Sequence, residues 1–414
     1  MAFSFVHTAD IHLDSPLKSL ALRDEGLAEL VGNATRTTFS RIVDLCLTEG
    51  VQALLIAGDL YDGGQTSMKT ARFLAQELER LAAAGIPAFI IRGNHDAASR
   101  ITRELTLPEG VTVFSGRAAA VETVWNGHAV AVHGISFRDP QAPESLLGHF
   151  KPRVPGAFNI GLLHSSLGGS PGHDPYAPCS LADLRATGFD YWALGHIHQR
   201  AAHPGQTTVV MPGIPQGRDI GEAGAKSVTL VTVADDGAVG LEERQLAVAQ
   251  FERLPVDCRP VPDWAGLVDA LRQALRAARR QHGSEHLIVR PVLTGQTPLA
   301  WRIGRDADLL RAEAQNVAEQ IGTVWIDKIE IALEAGTAIP PGGAVGELAR
   351  IVAEGGLQPD DATVRDEIDR LLKHLPRELR GLLGDSEDQT AAAVAQAMEQ
   401  GAMEVLARLE ESGD

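Results

Sequence analysis

Apolar and polar positions alternate along the first 250 residues in short blocks that set an element order. Apolar runs at residues 3–9, 51–57 and 88–92 are separated by helically spaced stretches near 33–49 and 66–84, which predicts a βαβαβ start. Further runs at 111–114, 129–135, 157–164, 191–194, 208–211 and 228–233 have fewer helical stretches between them, so a mixed α/β sandwich is expected. From residue 251 the rhythm changes. An Arg-rich helix near 264–280, a strand at 287–293, a helix near 306–320 and a strand at 324–333 predict a small αβαβ unit. After Pro340-Pro341-Gly342-Gly343, acidic Ala- and Leu-rich helical segments run on with no strand signal. The expected organisation is one domain at 1–250, a second at 251–338 and a helical region at 339–414. No solenoid-like repeat or low-complexity tract interrupts it.

Composition narrows the class without naming a function. With 414 residues the chain exceeds one ordinary hydrophobic core, and 44% hydrophobic with 22% charged residues is the profile of a globular protein. The longest apolar runs fall far short of the roughly 18 residues of a membrane span, so no transmembrane helix is expected. The start carries no basic region followed by a long apolar stretch, so no export signal is expected. Cys46, Cys179 and Cys258 are odd in number and far apart. Neither a disulfide framework nor a zinc-binding cysteine pair is expected, and a reducing cytoplasm fits. A net charge of -17 argues against a chain that coats nucleic acid, because that binding needs Lys and Arg to replace counterions. Bound divalent cations or a basic partner subunit would offset the field locally.

Chemistry concentrates in five clusters, each just after a predicted strand: Asp10-Ile11-His12, Gly58-Asp59-Leu60-Tyr61-Asp62, Gly93-Asn94-His95-Asp96, His164, and Gly195-His196-Ile197-His198. A single DxH or HxH in a chain with 14 histidines is most simply an accident of a surface or a satisfied core. Five at one structural position, the carboxyl ends of strands where α/β sheets gather their sites, are not. Asp, Asn and His offer hard oxygen and borderline nitrogen donors suited to Mn, Fe, Zn or Mg, and thiolate is absent from every cluster. In an extended segment alternate residues share a side, so Asp10 and His12 are expected to face one ion, with His196 and His198 split between two. Gly58, Gly93 and Gly195 precede the donors, where a strand turns and the backbone must approach the ion.

In this order the motifs DxH, GDxxD, GNHD, a lone His and GHIH resemble those of the calcineurin-like metallophosphoesterase superfamily, over roughly the first 235 residues. The resemblance implies an α/β fold: a two-sheet αββα metallophosphoesterase sandwich with a dinuclear centre. It implies that Asp10, His12, Asp59 and His198 bind one ion and Asp59, Asn94, His164 and His196 the other, with Asp59 bridging. Two such cations would share a hydroxide, lower its pKa and neutralise phosphate oxygens during in-line attack. His95 follows a ligand without being one, so it is expected to protonate the leaving oxygen or stabilise its charge, with Asp62 orienting it. Asp62 could instead be a helix-start carboxylate, and Asp96 a turn or cap residue. Asn126, His128, His133, His149 and His173 match no motif and receive no role.

Finer features resemble the SbcD and YhaO branch of DNA repair exonucleases: residues 5–14, the GDLYD and RGNHD forms, Met211-Pro212-Gly213, Gln216-Gly217-Arg218, and Leu163-His164-Ser165-Ser166-Leu167. After Glu222-Ala223-Gly224-Ala225-Lys226, Ser227 stands where a glycine is often found, a departure expected to touch a turn. The branch implies a manganese-dependent nuclease acting on DNA, a capping domain over the metals with an αβαβ core, and C-terminal helices that dock onto an SMC-like ATPase of the SbcC or YhaN type. It also leaves a homodimer open. Arg272, Arg276 and Arg279 share a helix face suited to phosphate contacts, although a solvated face reads equally well. The C-terminal helices could likewise be a self-contained cap. Two other functions remain: a small-substrate phosphoesterase acting on cyclic nucleotides or phosphomonoesters, and a non-catalytic DNA-end tether or ATPase scaffold.

Overall fold

The computed structural model describes residues 2–15, 25–62, 67–98, 107–168, 176–297 and 299–335, with isolated positions beyond, the side chains of 25–31, 301 and 334–335 excepted. The helical region expected at 339–414 lies almost wholly outside the described residues, as does His173.

The opening alternation is realised as β1 (Phe3–Thr8), α1 (Glu25–Glu49), β2 (Ala53–Ala57), α2 (Met68–Ala83), β3 (Ala88–Ile91), α3 (Asn94–Ala98) and β4 (Val111–Val113). Then come β5 (Ala119–Trp125), β6 (His128–Gly134), β7 (Phe158–His164), α4 (Leu181–Ala186), β8 (Tyr191–Gly195), β9 (Ala201–His203) and β10 (Thr208–Met211). Two further strands, β11 (Ser227–Val233) and β12 (Val239–Gln245), return to the first sheet. One six-stranded sheet runs β12-β11-β1-β2-β3-β4 and the other β5-β6-β7-β8-β10-β9. Strands β1 to β4 run parallel to one another, as do β6, β7, β8 and β10, while β11, β5 and β9 pair antiparallel to β1, β6 and β10; the parallel strands of each sheet send their ends to one rim.

Strand periodicity builds the layers. On β1 and β2, Phe5, Ala53, Leu55 and Ala57 enter the core between the sheets with Phe89, Val132, Ile160, Leu162, Tyr191 and Ala193. Their neighbours Val6, Leu54 and Ile56 face outward and are covered by Phe39, Ile42, Leu74, Leu78 and Leu81 of α1 and α2. Ser67 caps α2 by accepting from Lys69 N, and each leucine buried on its inner face contributes about 1.5–3 kcal/mol. The outer face of the second sheet carries Leu163, Trp192, Leu194 and Val209, covered by Leu184 of α4 with Phe150 and Phe189.

Several elements depart from the sequence reading. Helix α1 begins eight residues earlier than the 33 expected, through a stretch whose Gly26 and Gly32 weaken the helical signal. Strands β5, β9 and β12 were not foreseen; β5 and β12 are edge strands that alternate half-buried and exposed positions, which dilutes an apolar run. Ser227 is the first residue of β11, opposite Gln245, rather than a turn residue.

The later chain forms β13 (Ala249–Asp257), α5 (Trp264–Gln281), β14 (His286–Thr297), α6 (Ala300–Arg305), α7 (Ala307–Ile321), β15 (Val324–Ile326) and β16 (Glu330–Ala335). The αβαβ order is present, with β13 ahead of it and α6 added. The expected strand at 324–333 is two, both parallel to β14. Between them Asp327 is buried and pairs with Arg290 at 2.5 Å, while its N–H donates to Val289 O at 2.9 Å. The chain divides into two compact units. The first is Met1–Arg253 with Arg279–Arg290 and Thr323–Asp327; the second comprises Leu254–Ala278, Pro291–Gly322 and the chain from Lys328. Within the second, Leu267, Leu271, Leu275 and Ala278 form the buried stripe of α5.

Candidate metal centre

The two sheets deliver their strand ends to one place on the first unit. Asp10 and His12 follow β1, Asp59 follows β2, Asn94 opens the helix after β3, His164 ends β7, and His196 and His198 follow β8. The loops are sewn together across the rim. Asp10 N donates to Gly58 O at 3.0 Å and His12 N to Asp59 O at 3.1 Å. The Asp10 carboxylate accepts from His196 N at 3.0 and 3.1 Å, joining the sheets.

Asp10 and His12 were expected to share a side because their segment is extended. The segment is kinked instead: Asp10 has φ 51° and His12 φ 44°, and Asp59 (51°) and His196 (104°) also have positive φ. Each such residue costs roughly 1–2 kcal/mol, a strain that persists where the surrounding fold imposes it. The result is convergence. Donor atoms of Asp10, His12 and His198 lie within 4.8 Å of one another, as do those of Asp59, His164 and His196. Asn94 Oδ1 joins the second group, 3.1 Å from His164 Nε2. Asp59 Oδ2 stands between the groups, 3.3 Å from His164 Nε2 and 4.0 Å from His12 Nε2. At Gly93 the reason for glycine is space, since a Cβ would strike Asp59 Oδ1 and lie 2.8 Å from His164 Nε2.

The hydrogen bonds behind the donors say what fits between them. His12 Nδ1 donates to Asp62 Oδ1 at 3.1 Å and His198 Nδ1 to Glu222 Oε1 at 2.6 Å. Carboxylates only accept, so Nδ1 carries a proton in each ring, and the two Nε2 atoms meet at 3.3 Å, a hydrogen bond when one of them is protonated. His164 Nδ1 donates to Ala57 O at 2.9 Å, which turns its Nε2 to the oxygens of Asn94 and Asp59. Ring nitrogens and oxygens crowded in this way need positive charge among them, from protons or from a metal ion. Divalent cations meet that need, with oxygen and nitrogen donors and orienting partners already in place.

Burial and charge act on the same groups. Burial pushes the Asp10 carboxyl up against the pull of the surrounding histidines. Burial also pushes Asp59 up, but His164, His12 and His95 outweigh it and hold the carboxyl below its ordinary range. His164 is pulled down by burial, then carried by Asp59 and Asp10 to about 9. His95 differs in kind: its side chain is 41% exposed, at the mouth, with Nδ1 3.4 Å from Asp62 Oδ1. Asp62 thus serves both His12 and His95, where the sequence pointed to His95 alone.

Behind the donors stand Asp96, which the sequence left as a turn or cap residue, and two residues to which it gave no role. Asp96 accepts from Leu60 N, Tyr61 N and Gly93 N at 3.0 Å, pinning the second loop to the third, and burial raises its carboxyl to about 6. Arg218 and Glu222 stand behind His198. Their sequence signals were the stretches Gln216-Gly217-Arg218 and Glu222-Ala223-Gly224-Ala225-Lys226, which assigned neither a role at the site. The three α5 arginines are not equivalent: Arg272 pairs with Asp269, and Arg276 is exposed. Arg279 donates to the carbonyls of His282 at 2.6 Å and Ser284 at 2.5 Å, closing the loop after the helix.

Comparison with known proteins agrees with this architecture. The profile of calcineurin-like phosphoesterases matches residues 3–200, and that of the middle domain of metallophosphoesterase YhaO matches residues 251–334. An uncharacterized metallophosphoesterase, YhaO of Bacillus subtilis (strain 168), is 33% identical over 332 residues, 78% of this chain and 80% of that protein. The DNA double-strand break repair protein Mre11 of Sulfurisphaera tokodaii is 28% identical over 202 residues, spanning 47% of this chain and about half (49%) of its own length. Mre11 of Aeropyrum pernix is 25% identical over 287 residues, 66% of this chain and 67% of its own. Among the described residues no helix is long and apolar enough to cross a membrane. Two sheets meeting at a rim of Asp, Asn and His donors, with 33% identity across most of a YhaO protein, place the chain in the calcineurin-like metallophosphoesterase family, on its YhaO-like branch.

Proposed function

We propose that this protein is a phosphodiesterase that cuts DNA with two divalent ions, preferably manganese, and works as the nuclease subunit of a repair complex with an SMC-like ATPase. The observation that carries the reading is the pair of donor groups sharing Asp59, with a half-exposed histidine beside them. Asp10, His12, Asp59 and His198 would hold one ion, and Asp59, Asn94, His164 and His196 the other. Bound there, the ions supply Lewis acidity, neutralising phosphate oxygens and acidifying the attacking water. The chain's own residues do the rest. Asp62 holds His95 by Nδ1 and its charge favours the protonated ring against burial, so that Nε2–H of the imidazolium, on the far side, would deliver its proton to the departing oxygen and leave the ring neutral. Buried Asp96 keeps the loop bearing Asn94 and His95 in register with the loop bearing Asp59. The Mre11 relatives, named for DNA double-strand break repair, support DNA as substrate.

A small phosphodiester is the second reading, favoured by the net charge of -17 and by the engagement of Arg272 and Arg279 within the chain. One assay separates them: manganese-dependent cleavage of end-labelled duplex and single-stranded DNA beside bis-p-nitrophenyl phosphate, for the wild type and His95→Ala. DNA cleavage that the variant loses by a factor of about 10²–10⁴ is the expected result. Turnover of the ester alone would favour the small substrate. Full DNA cleavage by His95→Ala would remove its assigned role.

A further inference from the structure

We propose that Glu222 and Arg218 are positioning residues of the metal centre, holding His198 with its Nε2 presented to a cation and tying it to the Asp62 and His95 side. The inference rests on the reading of the rim as a metal centre and goes beyond the donor set itself.

The segment from Gly213 to Glu222 is built around His198. Gly213 turns with φ +76°, and a Cβ there would lie 2.7 Å from His198 O, so the turn can pass only as glycine. Ile214 N then donates to the same carbonyl at 3.1 Å. Gln216, 1% exposed, locks the next step: Oε1 accepts from Val248 N at 2.8 Å and Thr38 Oγ1 at 3.2 Å, while Nε2 donates to Ala249 O at 2.8 Å. A buried amide with its donors and acceptors matched leaves the loop little freedom.

The locked loop delivers two charges to the back of the site. The Glu222 carboxylate takes His198 Nδ1 at 2.6 Å, Arg218 Nη2 at 2.7 Å and Arg218 N at 2.7 Å. With its side chain 12% exposed, it is nearly withdrawn from water and fully matched. Arg218 reaches forward as well, with Nη1 3.8 Å from Asp62 Oδ1 and 3.5 Å from Ser15 Oγ. Asp62 in turn holds His12 and His95. One guanidinium therefore links the partner of a ligand histidine to the partner of the proposed proton donor. A carboxylate on the far nitrogen of a ligand histidine fixes its tautomer and ring plane and makes it a better donor. An ion pair that only stapled the loop would not need its shortest contact on His198.

The test is calorimetric titration of Mn²⁺ into the full chain, wild type against Glu222→Ala, Glu222→Gln and Arg218→Lys, with melting temperatures in EDTA alongside. Glu222→Ala is expected to weaken Mn²⁺ binding by about 10–100-fold. Glu222→Gln, whose amide oxygen still accepts from Nδ1, should recover most of the affinity, and Arg218→Lys, without the forked contact, should fall between. Unchanged affinity in Glu222→Ala would overturn the proposal. So would equal loss in the Ala and Gln variants tracking a lower melting temperature, which marks a loop that unfolds. Because the readout is binding, a wild type that binds Mn²⁺ and shows the Glu222 effect yet cuts no DNA would sink the nuclease reading alone. A wild type that binds no Mn²⁺ would sink both.

Discussion

His7 should make the sandwich acid-labile, by an amount the structure sets. The residue is fully buried in β1, three positions ahead of Asp10, and reaches the other sheet: Nδ1 lies 3.0 Å from Tyr191 OH and Nε2 3.1 Å from Leu194 O. A carbonyl only accepts, so Nε2 carries the proton and Nδ1 accepts from Tyr191, which is the neutral ring. Burial first, and then the charge of Arg200, depress its pKa from 6.5 to about 3, although the Leu194 bond opposes them. The unfolded chain therefore binds a proton that the folded one refuses between those values, and stability falls as pH drops from 6.5 towards 3. A shift of this size amounts to about 5 kcal/mol at full protonation, of which about 2 kcal/mol is lost between pH 7 and pH 5. The measurement is urea unfolding at both pH values for the wild type and His7→Gln, an amide that can donate and accept but takes up no proton. Other titrating groups cancel in the comparison. The wild type should lose about 2 kcal/mol more than the variant. Parallel pH profiles would refute a buried neutral His7 joining the sheets.

Three further outcomes follow from the same geometry. Asp59→Ala removes the carboxylate between the two donor groups, so Mn²⁺ binding and phosphodiester hydrolysis should be lost together; retention of both ions by equilibrium dialysis would contradict the shared position. Gly161→Ala drives a Cβ into the Trp192 ring beneath the second sheet and should cost about 1–3 kcal/mol in urea unfolding; a neutral result would mean that the ring moves aside freely. Cys46, Cys179 and Cys258 are all buried, and burial lifts the Cys46 thiol to about 12. A thiol reagent at pH 8 should therefore label none of them rapidly until urea is added, and fast labelling of the native protein would deny that burial.

What the sequence made legible, and what it hid, divides along physical lines. Buried strands such as β2 and β3 read directly because parallel strands covered on both faces are continuous apolar runs. The residues that converge at the rim were legible because each stands at or just after a strand end. Edge strands β5 and β12 did not, since exposed alternate positions erase the run. The pairing of Asp10 with His12 was foreseen on the wrong ground: backbone sterics favour extension for both, and only the tertiary fold forces positive φ. Arg218 and Glu222 were hidden because their roles lie in contacts to residues tens to hundreds of positions away, such as Asp62 for Arg218 and His198 for Glu222. No local pattern encodes such partners.

The strained backbone and the crowded charge at the rim have one explanation. Asp10, His12, Asp59 and His196 each sit at positive φ, and the Nε2 atoms of His12 and His198 meet at 3.3 Å. The strained backbone opposes folding, and the residues nearby do not relieve it. What holds it is the pair of cores behind: strands packed between the sheets and under α1 and α2 arrive at fixed positions, and their loops must close over the short gaps that remain. The hydrogen bonds from His196 N to Asp10 and from Asp10 N to Gly58 O run across that gap. Rigid sheets thus preorganise donors that would otherwise spread apart. A cation arriving there meets ligands whose ordering cost has already been met by the apolar core, and the free energy of binding is not consumed in assembling the site.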